Sequence, residues 1–386
     1  MGKIVLNGIT WNHTRGITPL LAAAQRFSEL YPDVEINWEK RTLQEFADKP
    51  IEKLTGQYDL LIIDHPWAGR AAYTKCVLPL DDYLPVGYLE DQLKNSVGGS
   101  HQSYYYDGHQ WALAIDAATP ATSYRADLFT KYKVSIPQTW DELLDFAKTG
   151  KVLVSGLPVD SLMAFYMFCN ANGNEPFISK TEVIDVPTGL KALENMKTLW
   201  SLCNKIIYQI NPIALAEIMS STDDYWYCPF AYCYSNYSRK GFAKNILMYE
   251  DLPRFGSYGR LRSTIGGTGL AVSANSGNKE TAIQFTQWIS SGECQSTFYI
   301  QNGGQPGHLS AWIDKDVNLL CNNFFINILP SMERGYIRPK YNGYLHFQDH
   351  AGKPLQDFLL LGGNPKDVLH KMNSLYRESL IYSNEH

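Results

Sequence analysis

Apolar and polar positions in the first sixty residues alternate between short strands and amphipathic helices. The pattern predicts a strand over 4–11, a helix beginning at Gly16 and ending near Tyr31, and a second strand over 34–38. After a further helical segment, residues 58–63 (YDLLII) end in the apolar run LLII, typical of a strand buried on both faces. This order predicts a parallel sheet with right-handed crossovers, so ligands are expected at the carboxyl ends of its strands.

Two loops that directly follow predicted strands are rich in aromatic and polar side chains. They are WNHTRG, residues 11–16, and DHPWAG, residues 64–69. Each ends in a glycine beside a predicted helix start, where backbone amides without a helical partner can bind an oxygen-rich ligand. The alternative is that His13, Asp64 and His65 only cap the helices. For the two loops as a pair, we predict ligand contact.

Length and charge indicate a globular protein of two domains that does not bind nucleic acid. The chain has 386 residues, with 34 Lys+Arg and 39 Asp+Glu, which gives a formal net charge of −5. Because single cores stop growing at roughly 250–300 residues, we expect two domains with a cleft between them. A nucleic-acid binder would need a basic surface, which this balance does not favour. No apolar stretch approaches the roughly 20 residues needed to cross a bilayer.

Aromatic residues are frequent, at 13% of the chain with 25 Tyr and 9 Trp, and they suit sites that bind partly polar ligands. Residues 225–237, YWYCPFAYCYSNY, concentrate them without an amphipathic period. We interpret this segment as a binding wall rather than core, with Tyr227, Tyr232 and Asn236 as the predicted contacts. Cys228 and Cys233 lie close together within it, and we predict two buried thiols there rather than a disulfide.

Motifs of common enzyme classes are missing from the sequence. It contains no GxSxG elbow, no GxxxxGK[ST] phosphate loop and no HExxH zinc helix. His346 and His350 have a four-residue spacing that is compatible with a metal site on a helix, but a surface or packing role is favoured. We therefore predict no catalytic residue, no metal and no cofactor.

Five segments together resemble the extracellular solute-binding proteins of ABC importers, specifically the large carbohydrate-binding type related to the maltose-binding protein. The segments are FSELYPDVEINWE (27–39), YDLLIIDHPWAGRAAYTKCVLPLDDYL (58–84), YYYDGHQWALAIDAATPATSYRADLF (104–129), IPQTWDELLDFAK (136–148) and GGTGLAVSANSGNKETAIQFTQWISSGECQSTFYIQNGGQP (266–306). Each is a weak signal alone, and their order along most of the chain carries the resemblance.

The resemblance implies an α/β fold of two lobes, each a mostly parallel β-sheet flanked by helices, joined by crossing hinge strands that bend to close on a ligand. Both lobes would be discontinuous, one formed by residues 1–117 with 268–313 and the other by 118–267 with 314–386. It also implies a monomeric receptor that captures a carbohydrate or sugar derivative and delivers it to an ABC permease. A periplasmic or other extracytoplasmic location follows from the resemblance, whereas the start MGKIVLNGITW lacks signal-peptide features and predicts a cytoplasmic one if Met1 is the true start.

Carried over by position, the resemblance implies a set of ligand contacts in the first lobe. Carboxylates would accept hydrogen bonds from sugar hydroxyls, and aromatic rings would stack on the C–H faces of the sugar. The predicted contacts are Trp11, His13, Arg15, Asp64, Trp67, Asp116 and Thr268.

Arg15 leaves a second interpretation open. A guanidinium fits a carboxylate or phosphate better than a neutral sugar, unless an acid of the protein pairs with it. If Arg15 faces the cleft, the ligand would be a sugar acid, another organic acid or a phosphorylated compound. Since no export signal is visible, the alternative function is a cytoplasmic enzyme or sensor of the same fold that acts on an anionic small molecule through His13, Arg15, Asp64 and His65.

Overall fold

The computed structural model describes residues 2–42 and 50–385, and the chain divides into two compact units. Unit 1 comprises Met1–Ala118, Ile265–Leu320 and Lys340–Asn342, and unit 2 comprises Thr119–Thr264, Cys321–Pro339 and Gly343–His386. The first two crossings lie within a few residues of the predicted boundaries. The third comes later than residue 313, because the helix Lys315–Leu320 still belongs to unit 1. The short return at Lys340–Asn342 is not anticipated by the sequence.

Unit 1 begins with the predicted alternation of strands and helices. Part of the predicted helix between the second and third strands falls on residues 43–49, which lie outside the described residues. The elements before the first crossing are β1 (Ile4–Trp11), α1 (Thr14–Leu30), β2 (Val34–Arg41), α2 (Ile51–Leu54), β3 (Leu60–Ile63), α3 (Trp67–Thr74), α4 (Val86–Lys94), α5 (Ser100–Ser103), β4 (Tyr105–Tyr106), β5 (His109–Gln110) and β6 (Leu113–Ala118).

Unit 2 surrounds a short sheet with helices. Its elements before the return to unit 1 are β7 (Pro120–Tyr124), α6 (Ala126–Tyr132), α7 (Trp140–Ala147), α8 (Pro158–Ala171), α9 (Val186–Leu202), α10 (Pro212–Ser221), β8 (Tyr227–Tyr232) and β9 (Met248–Glu250). The central strand β7 pairs antiparallel with both β8 and β9. A mostly parallel sheet is therefore wrong for this unit. Strand direction depends on how the long helical connection between β7 and β8 returns, and the local apolar pattern does not encode that.

The remaining elements complete first unit 1 and then unit 2. They are β10 (Gly266–Val272), α11 (Lys279–Ile289), α12 (Gly292–Cys294), α13 (Leu309–Ile313) and α14 (Lys315–Leu320) in unit 1, and α15 (Phe324–Glu333), α16 (Tyr344–Leu361) and α17 (Pro365–Glu385) in unit 2. In unit 2, α16 packs against α8 and α17. At Gly352 the helices approach so closely that a Cβ would lie 2.2 Å from the carbonyl oxygen of Pro158.

The sheet of unit 1 brings the polar loops to one edge. Its strand order is β2-β1-β3-β10-β6, with β1 parallel to β2 and β3. The return strand β10 is antiparallel to both β3 and β6, so β3 and β6 point the same way. The carboxyl ends of β1, β3 and β6 therefore lie at the same edge as the amino end of β10, which is where an α/β sheet binds its ligands.

Two further sequence predictions can be compared with the structure. All seven cysteines are free thiols, and Cys228 and Cys233 are both buried, which confirms the interpretation of that pair. Over residues 2–42 and 50–385, none of the helices combines the length and apolar character needed to cross a membrane.

Candidate ligand-binding site

Trp11, the last residue of β1, packs under the first turn of α1. Its buried ring stacks on the ring of His13, with centroids 5.5 Å apart and an interplanar angle of 11°. Only a glycine fits at position 16, because a Cβ there would lie 2.5 Å from Cε2 of Trp11. Trp11 and Gly16 therefore fix the first polar loop against the helix.

His13 caps the amino end of α1. Its Nδ1 accepts a hydrogen bond from the backbone amide of Arg15 at 3.0 Å. Burial, together with the Arg15 charge, lowers the pKa of His13 to about 4. The capping alternative is thus correct for His13, which is neutral at pH 7. A ligand contact from the same side chain stays a prediction.

Arg15 and Asp116 form a buried ion pair with two hydrogen bonds. Nε of Arg15 donates to Oδ2 of Asp116 at 2.7 Å, and Nη2 donates to Oδ1. Their side chains are only 4% and 2% exposed, and the guanidinium also lies 5.6 Å from the centroid of the Trp11 ring. Burial raises the pKa of the Asp116 carboxyl, and the Arg15 guanidinium opposes that rise. Because these two side chains bind each other in the interior, we leave both out of the candidate contacts. Their role is structural, because the paired guanidinium packs against the Trp11 ring.

The loop after β3 presents a partly accessible carboxylate. The side chain of Asp64 is 22% exposed, and its Oδ1 accepts a hydrogen bond from the backbone amide of His65 at 2.8 Å. The His65 ring is buried and meets the ring of Tyr104 edge-on, with centroids 6.3 Å apart. Trp67 is the first residue of α3 and is mostly buried. Asp64 is therefore the predicted polar group of this loop that a ligand can reach most easily.

Strand β10 contacts the end of β6 through Thr268, whose side chain is not exposed. Thr268 pairs in register with Asp116, and its backbone amide hydrogen-bonds to the Asp116 carboxyl. Gly267 has φ of 105°, and a Cβ there would lie 2.2 Å from the carbonyl oxygen of Asp116. Thr268 itself is buried. Thr268 thus holds Asp116 through its backbone, and its predicted ligand contact stays a prediction.

Most of the aromatic segment of unit 2 is core. The side chain of Tyr227 is 0% exposed, its hydroxyl donates to the carbonyl oxygen of Pro137 at 3.1 Å, and its ring packs on Phe129 and Phe146. Asn236 is likewise buried. Tyr227 therefore lies in the core of unit 2, because most of β8 is covered on both faces, and Asn236 lies in the buried turn Ser235–Ser238 that follows this strand.

Tyr232 is the predicted residue of unit 2 that stays accessible. It ends β8, its side chain is partly exposed, and its hydroxyl lies 3.0 Å from Oγ1 of Thr264. It also lines a cavity within unit 2.

The same cavity contains a carboxyl that the sequence analysis missed. Asp160, in the first turn of α8, lines it, and burial raises the pKa of this carboxyl to about 6. The signal is present in the sequence, since Asp160 is the one charged residue of the largely apolar segment PVDSLMAFYMFCNA. A lone acid in such a helix needs a partner or a function.

Comparison with known proteins identifies the family. A family model described as bacterial extracellular solute-binding protein matches residues 22–317. The chain belongs to this family. The family is one of solute-binding proteins, so this solute-binding protein is a receptor, as the resemblance implied. The extracellular description of the family favours a location outside the cytoplasm.

Individual relatives agree with the two-lobed α/β fold. The maltose-bound MalE3 protein of T. maritima superposes with a TM-score of 0.84 at 19% identity, covering 97% of this chain and 99% of that one. An ABC-transporter solute-binding protein of Agrobacterium radiobacter K84 in complex with ribitol gives 0.83 at 20% identity, covering 98% and 99%. These matches confirm the predicted fold class.

A curated relative is similar over a shorter region. The maltotriose-binding protein of Pyrococcus abyssi is 30% identical to this solute-binding protein over 144 residues, which is 37% of this chain and 29% of the relative. The match therefore spans less than a third of that relative's length.

Proposed function

We propose that this protein is a receptor that binds a carbohydrate or sugar derivative and delivers it to an ABC permease. Family membership supports the receptor role, and the ligands of relatives, which are maltose, ribitol and maltotriose, support the ligand class. The observation that carries the proposal is the convergence of two aromatic and polar loops, residues 11–16 and 64–69, at one edge of the unit 1 sheet.

In unit 1, the proposed contacts are Trp11, His13, Asp64 and Trp67. The partial exposure of the Asp64 carboxylate supports its role as an acceptor of hydrogen bonds from ligand hydroxyls, and His13 is neutral, so it adds no charge. The two hydrogen bonds between Arg15 and Asp116 occupy the fork that would otherwise recognise a carboxylate or phosphate. This supports a ligand without an acidic group.

In unit 2, the proposed contacts are Tyr232 and Asp160, which line one cavity. An aromatic face and a carboxyl provide the same pair of interactions with a sugar that unit 1 offers through Trp67 and Asp64. We further propose that ligand binding is accompanied by hinge bending, and that the receptor acts as a monomer outside the cytoplasm.

Thermal unfolding in the presence of neutral sugars, polyols, sugar acids and phosphorylated sugars tests this proposal. A ligand at 100 times its Kd adds roughly 2.7 kcal/mol to the free energy of unfolding, which gives a clear shift in Tm. We expect stabilisation by sugars or polyols that carry no acidic group. Stabilisation confined to acids or phosphates would contradict the proposed ligand class.

The site itself is tested by titration calorimetry with the sugar that stabilises most. Asp64→Asn should weaken binding at least tenfold, because a charged acceptor is replaced by a neutral amide. The control is Asp59→Asn, at an aspartate that bonds Asn7 and Ser276 away from the two loops. Equal affinities in wild type and Asp64→Asn would remove Asp64 from the site.

A further inference from the structure

The cavity beside α8 in unit 2 has an unusual lining. Its volume is about 20 Å³, and the residues that line it include Asp160, Ser155, Phe230, Tyr232, Met163 and Met167. A volume near 10–15 Å³ already admits one water molecule. The cavity therefore takes a single small substituent of a ligand and excludes a sugar ring.

Hydrogen-bond donors are too few for an ionised Asp160. The hydroxyl of Ser155 lies 2.5 Å from Oδ2 of Asp160 and also 3.0 Å from the carbonyl oxygen of Ile210. One hydroxyl carries one proton, so it cannot satisfy both acceptors fully. Throughout the described part of the chain, no other hydrogen bond or ion pair reaches Asp160.

Charge compensation is missing as well. The Cys228 thiol interacts electrostatically with Asp160, and Tyr232 lines the same cavity; both residues are on β8 and neither carries a positive charge. Burial raises the pKa of Cys228 to about 12, and Asp160 adds to that rise, so the thiol is neutral. Burial likewise raises the pKa of Asp160 to about 6, with the Ser155 hydrogen bond opposing it. At pH 7 the carboxyl is mostly ionised, and a partly buried charge without a counter-ion is destabilising.

The three common polar substituents of sugars fit this lining differently. A carboxylate or phosphate would be repelled by Asp160, and a hydroxyl would supply one donor and no charge. A primary ammonium group is close to water in size, supplies three donors and neutralises the carboxylate. Phe230 and Tyr232 are aromatic residues of the lining and can attract a cation further, and the lining methionines Met163 and Met167 are polarisable.

We propose that this cavity receives a primary ammonium group of the ligand, with Asp160 as its ion-pair partner, so that the natural ligand is an amino sugar or another amine-bearing sugar derivative. This inference rests on the proposed carbohydrate receptor function and narrows its ligand class. Tyr232 and Phe230 flank the ammonium group, and Ser155 orients the carboxylate.

Titration calorimetry on the full chain tests this inference with matched probes. Glucosamine, galactosamine and the β-1,4-linked glucosamine dimer are compared with the parent neutral sugars and with the N-acetylated forms, at pH 7.0 and pH 5.0. The variants are Asp160→Asn and, as a control, Asp145→Asn, at an exposed aspartate on α7 that pairs only with Lys148 among the described residues.

We expect at least one amine to bind thirtyfold or more tightly than its parent and its N-acetylated form at pH 7.0. Its affinity should fall about tenfold at pH 5.0, because a carboxyl with a pKa of about 6 is then mostly protonated. Asp160→Asn should weaken amine binding at least thirtyfold and change binding of the parent less than threefold. Asp145→Asn should change neither.

Two results would overturn the inference while leaving the receptor function intact. One is a neutral parent that binds as tightly as its amine, and the other is amine binding that Asp160→Asn leaves unchanged. If no carbohydrate of either kind binds, the proposed function fails and the inference fails with it. If Asp160→Asn folds poorly, the inference is still tested by two measurements on the wild type. These are its preference for the amine over the parent sugar and the pH dependence of amine binding.

Discussion

Arg15 and Asp116, which are 101 residues apart in sequence, are joined by two hydrogen bonds in the interior of unit 1. The pair connects the first turn of α1 to β6 and lies behind the Trp11 ring. An arginine and an aspartate that look like ligand anchors in the sequence are therefore parts of the support beneath the loop. This is why we assign an uncharged or cationic ligand rather than an anionic one.

Removing one partner of this pair should destabilise the protein strongly. Asp116→Ala leaves the Arg15 guanidinium buried without its carboxylate, so the free energy of unfolding should fall by about 3–5 kcal/mol. Urea denaturation at pH 7 measures the loss. The control is Arg26→Ala, which breaks an exposed pair with Glu29 on the same helix and should change stability by less than about 1 kcal/mol. A loss below about 1 kcal/mol in Asp116→Ala would contradict the structural role.

Substitution of Gly16 should disturb the Trp11 ring. Gly16→Ala introduces a Cβ only 2.5 Å from Trp11 Cε2, so the ring or the first turn of α1 must shift. We expect a loss of about 1–3 kcal/mol in stability, together with weaker sugar binding. Gly87→Ala is the matched helical control, because a Cβ there meets nothing within 4 Å. Thermal unfolding and titration calorimetry on both variants check this prediction. Equal stability and equal sugar affinity in Gly16→Ala and Gly87→Ala would refute it.

The buried cap of α1 should make stability depend on pH. The pKa of His13 falls from 6.5 to about 4 in the folded state, so the folded protein binds fewer protons than the unfolded chain between these values. Its contribution is complete above pH 6.5 and is lost as the pH falls towards 4. We expect this contribution to be about 1–3 kcal/mol.

The variant His13→Gln separates this effect from that of His101, whose pKa burial also lowers to about 4. The difference in unfolding free energy between pH 7 and pH 4.5 should be smaller in His13→Gln than in the wild type. Urea denaturation at the two pH values gives the answer. The same difference in both proteins would show that His13 is not the titrating group.

Asp160 should lower the stability of the ligand-free protein. Its folded pKa is raised from 3.8 to about 6, so its favourable contribution is complete below pH 3.8 and is lost as the pH rises through 6. Asp160→Asn should therefore be more stable than the wild type by about 1–3 kcal/mol at pH 7.5 and nearly equal to it at pH 4. Thermal unfolding without ligand measures both. A destabilised variant at pH 7.5 would argue that the carboxylate already has a partner.

The local features of this protein can be read from its sequence. Apolar spacing predicts β1, α1 and β3, and the three-residue spacing of Thr139 and Glu142 is that of the capping box found at the start of α7. The polar loops after β1 and β3 are recognisable, because parallel strands place their carboxyl ends at one edge. These features depend on residues a few positions apart, which the order of the chain fixes directly.

Other features were decided only by tertiary structure. Arg15 meets Asp116 because β6 lies beside the return strand β10, whose direction and register no local pattern contains. Tyr227 is core because α6 and α7 cover its strand, whereas Tyr232, five residues later, stays partly exposed. Asp160 lines a cavity only because β8 packs beside α8. Burial and charge pairing depend on neighbours that are distant in sequence, so the chemistry of each side chain is settled by the fold.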